Sequence, residues 1–91
     1  MRILITGSSG LIGSEAVTYF DSQGHEVLGI DNNMRAQFFG KKGDTLWNLE
    51  RLRCVTKNFN HFPLDIRDRK KILEFFEDKR PEAIIHCAAQ P

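Results

Sequence analysis

Three glycines, Gly7, Gly10 and Gly13, are the residues of this 91-residue chain whose spacing points most directly to chemistry. They follow the apolar run Ile3–Ile5, and a second apolar periodicity begins at Leu11, directly after Gly10. This order predicts a buried strand, a tight turn and the first turn of a helix. Because a helix N-terminus carries free N–H groups and the positive end of the helix dipole, the turn could hold a phosphate.

The three glycines are expected to have separate roles. Gly7 would permit the sharp turn, Gly10 would let the backbone come close to phosphates, and Gly13 would let the helix pack against the strand. A glycine turn without a ligand is the alternative, since glycine triplets are common in turns. A mononucleotide-binding P-loop is excluded, because it requires lysine and then serine or threonine where this chain has Ser14 and Glu15.

Asp31 is the next residue whose position suggests chemistry. It ends the predicted strand Glu26–Ile30, 18 residues after Gly13, close to where dinucleotide-binding units place a carboxylate for ribose hydroxyls. The alternative is a turn former or a helix cap. A ribose role favours NAD over NADP, because at ~4 Å and an effective dielectric of about 20 each unit of like charge costs roughly 4 kcal/mol. Arg35 could offset part of that repulsion.

Alternating helix and strand patterns must position these residues. Apolar spacing predicts a helix from Leu11 to about Ser22, with Ile12, Ala16 and Phe20 on one apolar stripe and Val17 beside them. The elements expected after it are strands over Glu26–Ile30, Phe59–Ile66 and Glu82–Cys87 and helices over Thr45–Arg53 and Arg69–Lys79, the last capped by Asp68. Such repeats predict right-handed crossovers, so the fold class is α/β: a doubly wound parallel sheet with strand order 3-2-1-4.

The third predicted strand contains a proline and ends near a carboxylate. Phe62, Leu64 and Ile66 are expected on one face of this strand. Pro63 has no N–H to donate to a neighbouring strand, which favours a strand at the edge of the sheet. Asp65 could be a turn residue or a contact to the adenine end of a cofactor.

Composition excludes several function classes. The net charge is +1, with 13 basic and 12 acidic residues interspersed, so nothing indicates a nucleic-acid partner. No apolar run approaches membrane-spanning length, and Met1 and Arg2 lead into a strand rather than a signal peptide, which favours a cytoplasmic location. Cys54 and Cys87 have no metal or redox spacing and are expected to be buried, reduced thiols. The scattered histidines argue against a metal site.

Four motifs in this order resemble the extended short-chain dehydrogenase/reductase family, which includes the NAD-dependent sugar-nucleotide epimerases and dehydratases. They are Ile5–Gly13, Gly29–Asn32, Leu64–Asp68 and Ile85–Pro91, and the resemblance extends over essentially the whole chain. Within the family, a further set of residues resembles the CDP-paratose 2-epimerase (CDP-tyvelose epimerase) branch. This set comprises Asp31–Arg35, Phe38–Gly40 and Trp47–Leu52.

The resemblance implies an NAD site at the carboxyl ends of the strands, in the N-terminal part of a Rossmann fold. Its pyrophosphate contacts would come from the backbone around Gly10, Leu11 and Ile12. Its adenosine contacts would come from Asp31, Asn32, Arg35, Asp65 and Ile66. Its nicotinamide side would be lined by Ala88, Ala89 and Gln90. His86 is expected to be a packed strand residue rather than a catalytic one.

The chain departs from the family at the catalytic residues. The family uses a Tyr-x-x-x-Lys pair, whereas Tyr19 is the only tyrosine here and Gln23 stands four residues on. Residues 1–91 are therefore expected to be a partial NAD-binding domain, with the catalytic residues and the substrate domain outside this chain. The expected function is the cofactor-binding portion of a nucleotide-sugar epimerase. The alternatives are a nucleotide-sugar dehydratase or reductase of the same family and a non-catalytic dinucleotide-binding module.

Two further expectations concern the chain by itself. Its NAD affinity should be weak, because half of the cofactor site would lie elsewhere. It should also self-associate. The last strand is expected inside the sheet of the whole domain but at an edge in this chain, where it would expose the apolar run Ala83–Ile85 and unpaired backbone groups.

Overall fold

The computed structural model describes residues 1–31 and 46–87. Strands and helices alternate through this part of the chain. The strands are β1 (Arg2–Thr6), β2 (Glu26–Ile30), β3 (Phe59–Phe62) and β4 (Ala83–His86). The helices are α1 (Leu11–Ser22), α2 (Leu46–Val55) and α3 (Arg69–Lys79).

The four strands form one parallel sheet in the order β3-β2-β1-β4, which confirms the predicted topology. β1 lies inside the sheet and pairs with both neighbours, so that Ile3 is opposite Val27 on one side and Ala83 on the other. β3 is at an edge of the described sheet, as predicted from Pro63, which follows its last residue. Because all four strands are parallel, their carboxyl ends meet at one edge of the sheet.

Each face of the sheet has its own core. On the face covered by α1 and α2, the buried cluster is Ile3, Ile5, Val17, Val27 and Leu52. On the face covered by α3, it is Leu4, Leu28, Ile30 and Phe75. Successive strand residues point to opposite faces, which explains why β1 and β2 are nearly continuous apolar runs.

The boundaries of α1 agree with the prediction, and its apolar stripe agrees except at Ile12. Ile12 is 73 % exposed instead of buried. The residues that face the sheet are Gly13, Ser14 and Val17, while Ala16 and Phe20 pack at the margin of the core. Because glycine brings the helix close to the turn that precedes it, the inward direction is set by Gly13 and not by the larger apolar side chain beside it.

α2 extends two residues further than predicted and places Leu49 and Leu52 in the interior. The expectation that Cys54 is buried is wrong, because this thiol is exposed. Residue 54 is two positions after Leu52 and therefore lies on the opposite side of the helix. Cys87 is half-buried. The side chain of Leu46 lies outside the described residues.

β3 ends at Phe62, four residues earlier than predicted. Pro63 has no N–H to donate, and the amide of Leu64 donates to the carbonyl of Phe62 at 2.8 Å, so the chain turns there. Phe62 and Leu64 still pack together against the core under α3. Ile66, expected on the same face, lies outside the strand and is 38 % exposed.

α3 begins and ends where the sequence predicts. Asp68 caps it by accepting a hydrogen bond from the Lys71 amide at 3.2 Å. β4, predicted over Glu82–Cys87, is one residue shorter at each end. Within the described residues, no helix is long and apolar enough to cross a membrane.

A carboxylate ties α1 to the segment that leads into β3. Asp21, near the end of α1, accepts hydrogen bonds from the amide of Lys57 at 3.0 and 3.1 Å and from that of Asn58 at 2.7 Å. These contacts lie at the amino edge of the sheet, opposite the glycine turn. They hold the edge strand in register with the rest of the fold.

Candidate functional site

The turn after β1 is built around Gly7. Its φ is +71°, a left-handed value that favours glycine because other residues meet a steric penalty there. The Gly7 amide donates to the carbonyl of Ile30 at 2.7 Å, and its own carbonyl accepts from the Gly10 amide at 3.1 Å. The first helical bond runs from the Ser14 amide to the Gly10 carbonyl at 2.9 Å. The predicted strand, turn and helix start are all present.

Gly13 packs directly on this turn. A Cβ at position 13 would lie 2.8 Å from the Gly7 carbonyl carbon and closer still to its oxygen. A Cβ at Gly10 would lie 3.3 Å from the same oxygen, which is tight. Backbone therefore contacts backbone where α1 leaves the turn, and no side chain larger than hydrogen fits at position 13.

The start of α1 fits a pyrophosphate group. Gly10 is the N-cap and supplies no side-chain cap, and no acidic residue lies in the first turn. The first amide groups of a helix have no partner inside it, so an anion can accept their hydrogen bonds. Leu11 and Ile12 are 81 % and 73 % exposed, so the helix start is open on its outer side.

Asp31 lies against the same turn. It follows β2 directly, and its Oδ2 accepts a hydrogen bond from the Ser9 amide at 3.0 Å. The Asp31 amide donates to the carbonyl of Phe62 at 3.2 Å, which links the ends of β2 and β3. The structure thus brings together the glycine turn and the carboxylate that the sequence singles out, although they are far apart in the chain. Whether Asp31 binds a ribose stays a prediction.

Gly29 and Ser8 form a close contact that sequence analysis missed. The Ser8 hydroxyl is buried and has no hydrogen-bond partner among the described residues. A Cβ at Gly29, in the middle of β2, would lie 2.7 Å from Ser8 Cβ, closer still to Ser8 Oγ, and 2.6 Å from Cε1 of Phe59. A glycine inside a strand pattern is the sequence signal for such a close approach.

Asp65 has the turn role that the sequence allowed. Its Oδ1 accepts a hydrogen bond from the Arg67 amide at 2.9 Å, and its carbonyl accepts from the Asp68 amide at 3.0 Å. Asp65 and Ile66 both lie at the carboxyl edge of the sheet, beyond the end of β3. Their contacts to adenine stay predictions.

On the other side of β1, Thr6 connects β1 to β4. Its Oγ1 and the Nδ1 of His86 are 2.6 Å apart, and the Cys87 amide donates to Oγ1 at 3.2 Å. His86 was expected to be packed, but it is exposed. β4 is the outermost strand of the described sheet, and α3 packs against β1 and β2 on this face and leaves His86 uncovered. Its ring instead joins the two strands at the carboxyl edge.

His61 is a titratable residue near the site that sequence analysis did not single out. It lies on β3 opposite Gly29 and is half-buried. Burial lowers the pKa of His61, the positive charge of Arg53 lowers it further, and the negative charge of Asp31 opposes them. The neutral imidazole is therefore favoured beside the end of β2.

Five predicted cofactor residues lie outside the described part of the chain: Asn32, Arg35, Ala88, Ala89 and Gln90. Their contacts stay predictions. Among the described residues, no group of three or more histidine, cysteine, aspartate or glutamate side chains could hold a metal ion.

Comparison with known proteins identifies the family of this chain. A model described as the NAD dependent epimerase/dehydratase family matches residues 3–91. The chain belongs to this family. It is 39 % identical over 92 residues to a probable dTDP-glucose 4,6-dehydratase of Sinorhizobium fredii, an alignment that covers 99 % of this chain and 23 % of that protein. The chain spans about a quarter of the length of the first curated relatives it matches.

Solved structures of epimerases share the fold. The UDP-Glc/GlcNAc 4-epimerase of Campylobacter jejuni superposes with a TM-score of 0.80 at 30 % identity, covering 98 % of this chain and 24 % of that one. A UDP-glucose 4-epimerase of Stenotrophomonas maltophila with bound NAD gives 0.80 at 28 % identity and covers 100 % and 25 %. The family is NAD-dependent, and neighbouring structures contain NAD.

Proposed function

We propose that this chain is the NAD-binding portion of a nucleotide-sugar epimerase or dehydratase. The observation that carries the proposal is the 3.0 Å hydrogen bond from the Ser9 amide to Asp31, which places an acidic side chain beside an uncapped helix start. The pyrophosphate would accept hydrogen bonds from the amides of Leu11 and Ile12. The adenosine ribose would lie at Asp31, after the strand next to the one that leads into the glycine turn. Neighbouring strands are about 4.8 Å apart.

The charge of Asp31 supports NAD as the cofactor. A carboxylate accepts hydrogen bonds from both ribose hydroxyls, whereas a 2′-phosphate would place like charges in contact. At ~4 Å and an effective dielectric of about 20, each unit of like charge costs roughly 4 kcal/mol before screening. Bound NAD would serve as the hydride acceptor and donor for the transient oxidation of a sugar. The residues of this chain would bind and orient it.

The proton-transfer residues would come from outside this chain, because Tyr19 lies within α1 and has no lysine four residues on. The family membership and the epimerase structures support an epimerase. The identity to a probable dTDP-glucose 4,6-dehydratase supports the second candidate, a dehydratase. In both cases the substrate would be a sugar linked to a nucleoside diphosphate.

The CDP-sugar branch remains our narrower proposal for the substrate. It is supported by the sequence of the segments 31–35, 38–40 and 47–52, whereas the matched relatives named above are a probable dTDP-glucose 4,6-dehydratase and epimerases of UDP-sugars. Assaying the longer protein with CDP-, UDP- and dTDP-sugars would test it. Turnover of a CDP-sugar supports this branch, and turnover of a UDP- or dTDP-sugar alone contradicts it.

Calorimetric titration with NAD and NADP tests the cofactor site. We expect the wild type to bind NAD more tightly than NADP, and Asp31→Ala to lose roughly tenfold in NAD affinity together with that preference. Asp78→Ala is the matched control, because it removes an exposed carboxylate of α3 that pairs with Lys79. A wild type that prefers NADP, or an Asp31→Ala variant that keeps the NAD preference, would contradict the proposal.

For the 91-residue chain by itself, we also propose self-association through β4. This strand is at the edge of the described sheet, and Ile84, which points to the α3 face, is 54 % exposed. Exposed strand edges with apolar side chains pair readily with other strands. Sedimentation should show a mass that rises with concentration in the wild type and less so in Ile84→Lys. A wild-type monomer at the highest concentration would contradict this.

A further inference from the structure

His61 and Asp31 lie on the same face of the sheet, on neighbouring strands. In the parallel register His61 is opposite Gly29, and registered residues of neighbouring strands point to the same face. Asp31 comes two positions after Gly29, so the alternation of the strand returns its side chain to that face. Phe59, two positions before His61, packs against the core under α1 and α2, which identifies the face. The two side chains are therefore diagonal neighbours at the carboxyl edge.

The imidazole of His61 has hydrogen-bonding capacity that the fold does not use. Its Nδ1 is buried and has no hydrogen-bond partner among the described residues, although the residue as a whole is half-buried. Each nitrogen of a protonated imidazole donates a hydrogen bond, whereas the neutral ring has one donor and one acceptor. The ring can therefore change its protonation state without breaking a hydrogen bond of Nδ1 within the described fold.

Two charged groups from different elements act on this ring. Burial, the largest cause, lowers the pKa of His61, the positive charge of Arg53 on α2 lowers it further, and the negative charge of Asp31 after β2 opposes them. β3 itself has no other titratable side chain. His61 is thus neutral near neutral pH, but further negative charge beside Asp31 would favour its protonated form.

A 2′-phosphate would supply such a charge. The proposed function places the adenosine ribose at Asp31, and NADP carries on that ribose a phosphate with a charge of about −1.5 to −2. This phosphate would repel the Asp31 carboxylate but attract a protonated His61. NAD lacks it, and its pyrophosphate would lie at the glycine turn after β1, one strand further from β3. A ligand that favours the protonated ring binds more tightly where that form is populated, which is at acidic pH.

We propose that His61 is a specificity-determining residue for the cofactor: its protonated ring offsets part of the Asp31 charge toward a 2′-phosphate, so the preference for NAD over NADP narrows as the pH falls. Arg53 stays charged throughout and contributes no pH dependence of its own. The inference rests on the proposed function, because it requires the adenosine ribose at Asp31.

The experiment measures the dissociation constants of NAD and NADP for the chain by NMR titration from about pH 8 down to about pH 5. The ratio of the NADP constant to the NAD constant should fall roughly five- to tenfold more in the wild type than in His61→Gln, since one unit charge at ~7 Å acts through an effective dielectric of about 20 and is partly screened by salt. The phosphate itself titrates near pH ~6 in both proteins, so only the difference between them is assigned to His61. At the alkaline end the two ratios should agree.

A second measurement needs no substitution. The chemical shifts of the His61 ring protons against pH give its pKa in the wild type with each cofactor bound, and this pKa should be higher with NADP than with NAD. His25→Gln is the matched control, because His25 precedes β2 at the amino edge, where its ring centroid lies 6.0 Å from that of Phe20. The ratio in this variant should follow that of the wild type.

Three results would overturn the inference while leaving the NAD site standing. They are a ratio that falls equally in the wild type and in His61→Gln, a His61 pKa that is the same with both cofactors, and a loss of pH dependence in His25→Gln as large as that in His61→Gln. If the wild type binds neither dinucleotide at any pH, the proposed function fails and the inference fails with it.

Discussion

Replacing Gly29 with alanine should destabilise the fold through a contact that a second substitution can relieve. The new Cβ would lie 2.6 Å from a Phe59 ring carbon and 2.7 Å from Ser8 Cβ, and closer still to the Ser8 hydroxyl. Ordinary contacts between carbon atoms are about 3.5–4.0 Å long, so atoms must move on both sides. Gly29→Ala therefore tests how the glycine turn packs over β2.

The magnitude follows from these contacts. Overpacking of a buried position costs about 1–3 kcal/mol, and three close contacts place this site near the upper end. Alanine restricts the backbone of the unfolded chain more than glycine does, which stabilises the fold by about 0.5–1 kcal/mol. The net effect of Gly29→Ala should therefore be a decrease of about 2 kcal/mol in the free energy of unfolding. In a Ser8→Gly background two of the contacts disappear, and the same change should cost less than about 1 kcal/mol.

Urea denaturation followed by far-ultraviolet circular dichroism measures the free energy of unfolding of the four proteins in this double-mutant cycle. They are the wild type, Gly29→Ala, Ser8→Gly and the double variant. Ser8→Ala is the matched control, because it removes the hydroxyl but keeps the Cβ that lies 2.7 Å from the new methyl group. It should rescue Gly29→Ala less than Ser8→Gly does. Additive effects of Gly29→Ala and Ser8→Gly, or equal rescue by both Ser8 variants, would refute the packing that we describe.

Three further substitutions test other parts of the structure. Gly13→Ala forces a Cβ into the backbone of the turn, so it should lower the free energy of unfolding by about 3 kcal/mol or more and abolish the NAD binding measured by calorimetry. Gly24→Ala is the control: residue 24 has a φ of +88° and open space around it, so this change should cost about 1 kcal/mol. Asp21→Ala should lower the free energy of unfolding by about 1–3 kcal/mol in urea and leave the NAD affinity unchanged, because the amides that donate to its carboxylate lie at the amino edge of the sheet. Burial and the charge of Arg53 lower the pKa of His61 below the ordinary histidine value of about 6.5. The wild type should therefore keep its full stability above that pH and lose part of it as the pH falls toward the folded-state pKa. Equal losses in His61→Leu, measured as urea midpoints at neutral and mildly acidic pH, would contradict this.

The elements around the glycine turn could be predicted from the sequence because their signals are local. The apolar runs of β1 and β2 and the bounds of α1 follow from residue patterns. The position of Asp31 directly after β2 follows from them as well, but its hydrogen bond with the Ser9 amide was not predicted. The extent of β3 could not be predicted in this way. The alternation continues through Ile66, but the hydrogen bond from Leu64 to Phe62 turns the chain after Pro63.

Features that depend on the packing of distant segments were missed. Ser8 and Gly29 belong to different elements and approach only when β1 and β2 pair. The inward direction of α1 depends on Gly13, so the exposure of Ile12 could not be derived from apolar spacing. Asp65 and Arg67 are close in sequence, but the pattern does not reveal that the arginine side chain folds back on the carboxylate.

Mapping NAD onto the chain by amide chemical shifts tests the central claim most directly. We predict that NAD shifts the amides of the glycine turn, the start of α1 and Asp31, in a saturable way. The amides of Lys57 and Asn58, which lie at the amino edge and donate to Asp21, should not move. Shifts that cluster at the amino edge, or a spectrum that NAD leaves unchanged at saturating concentration, would contradict the assignment of the glycine turn and Asp31 to an NAD site.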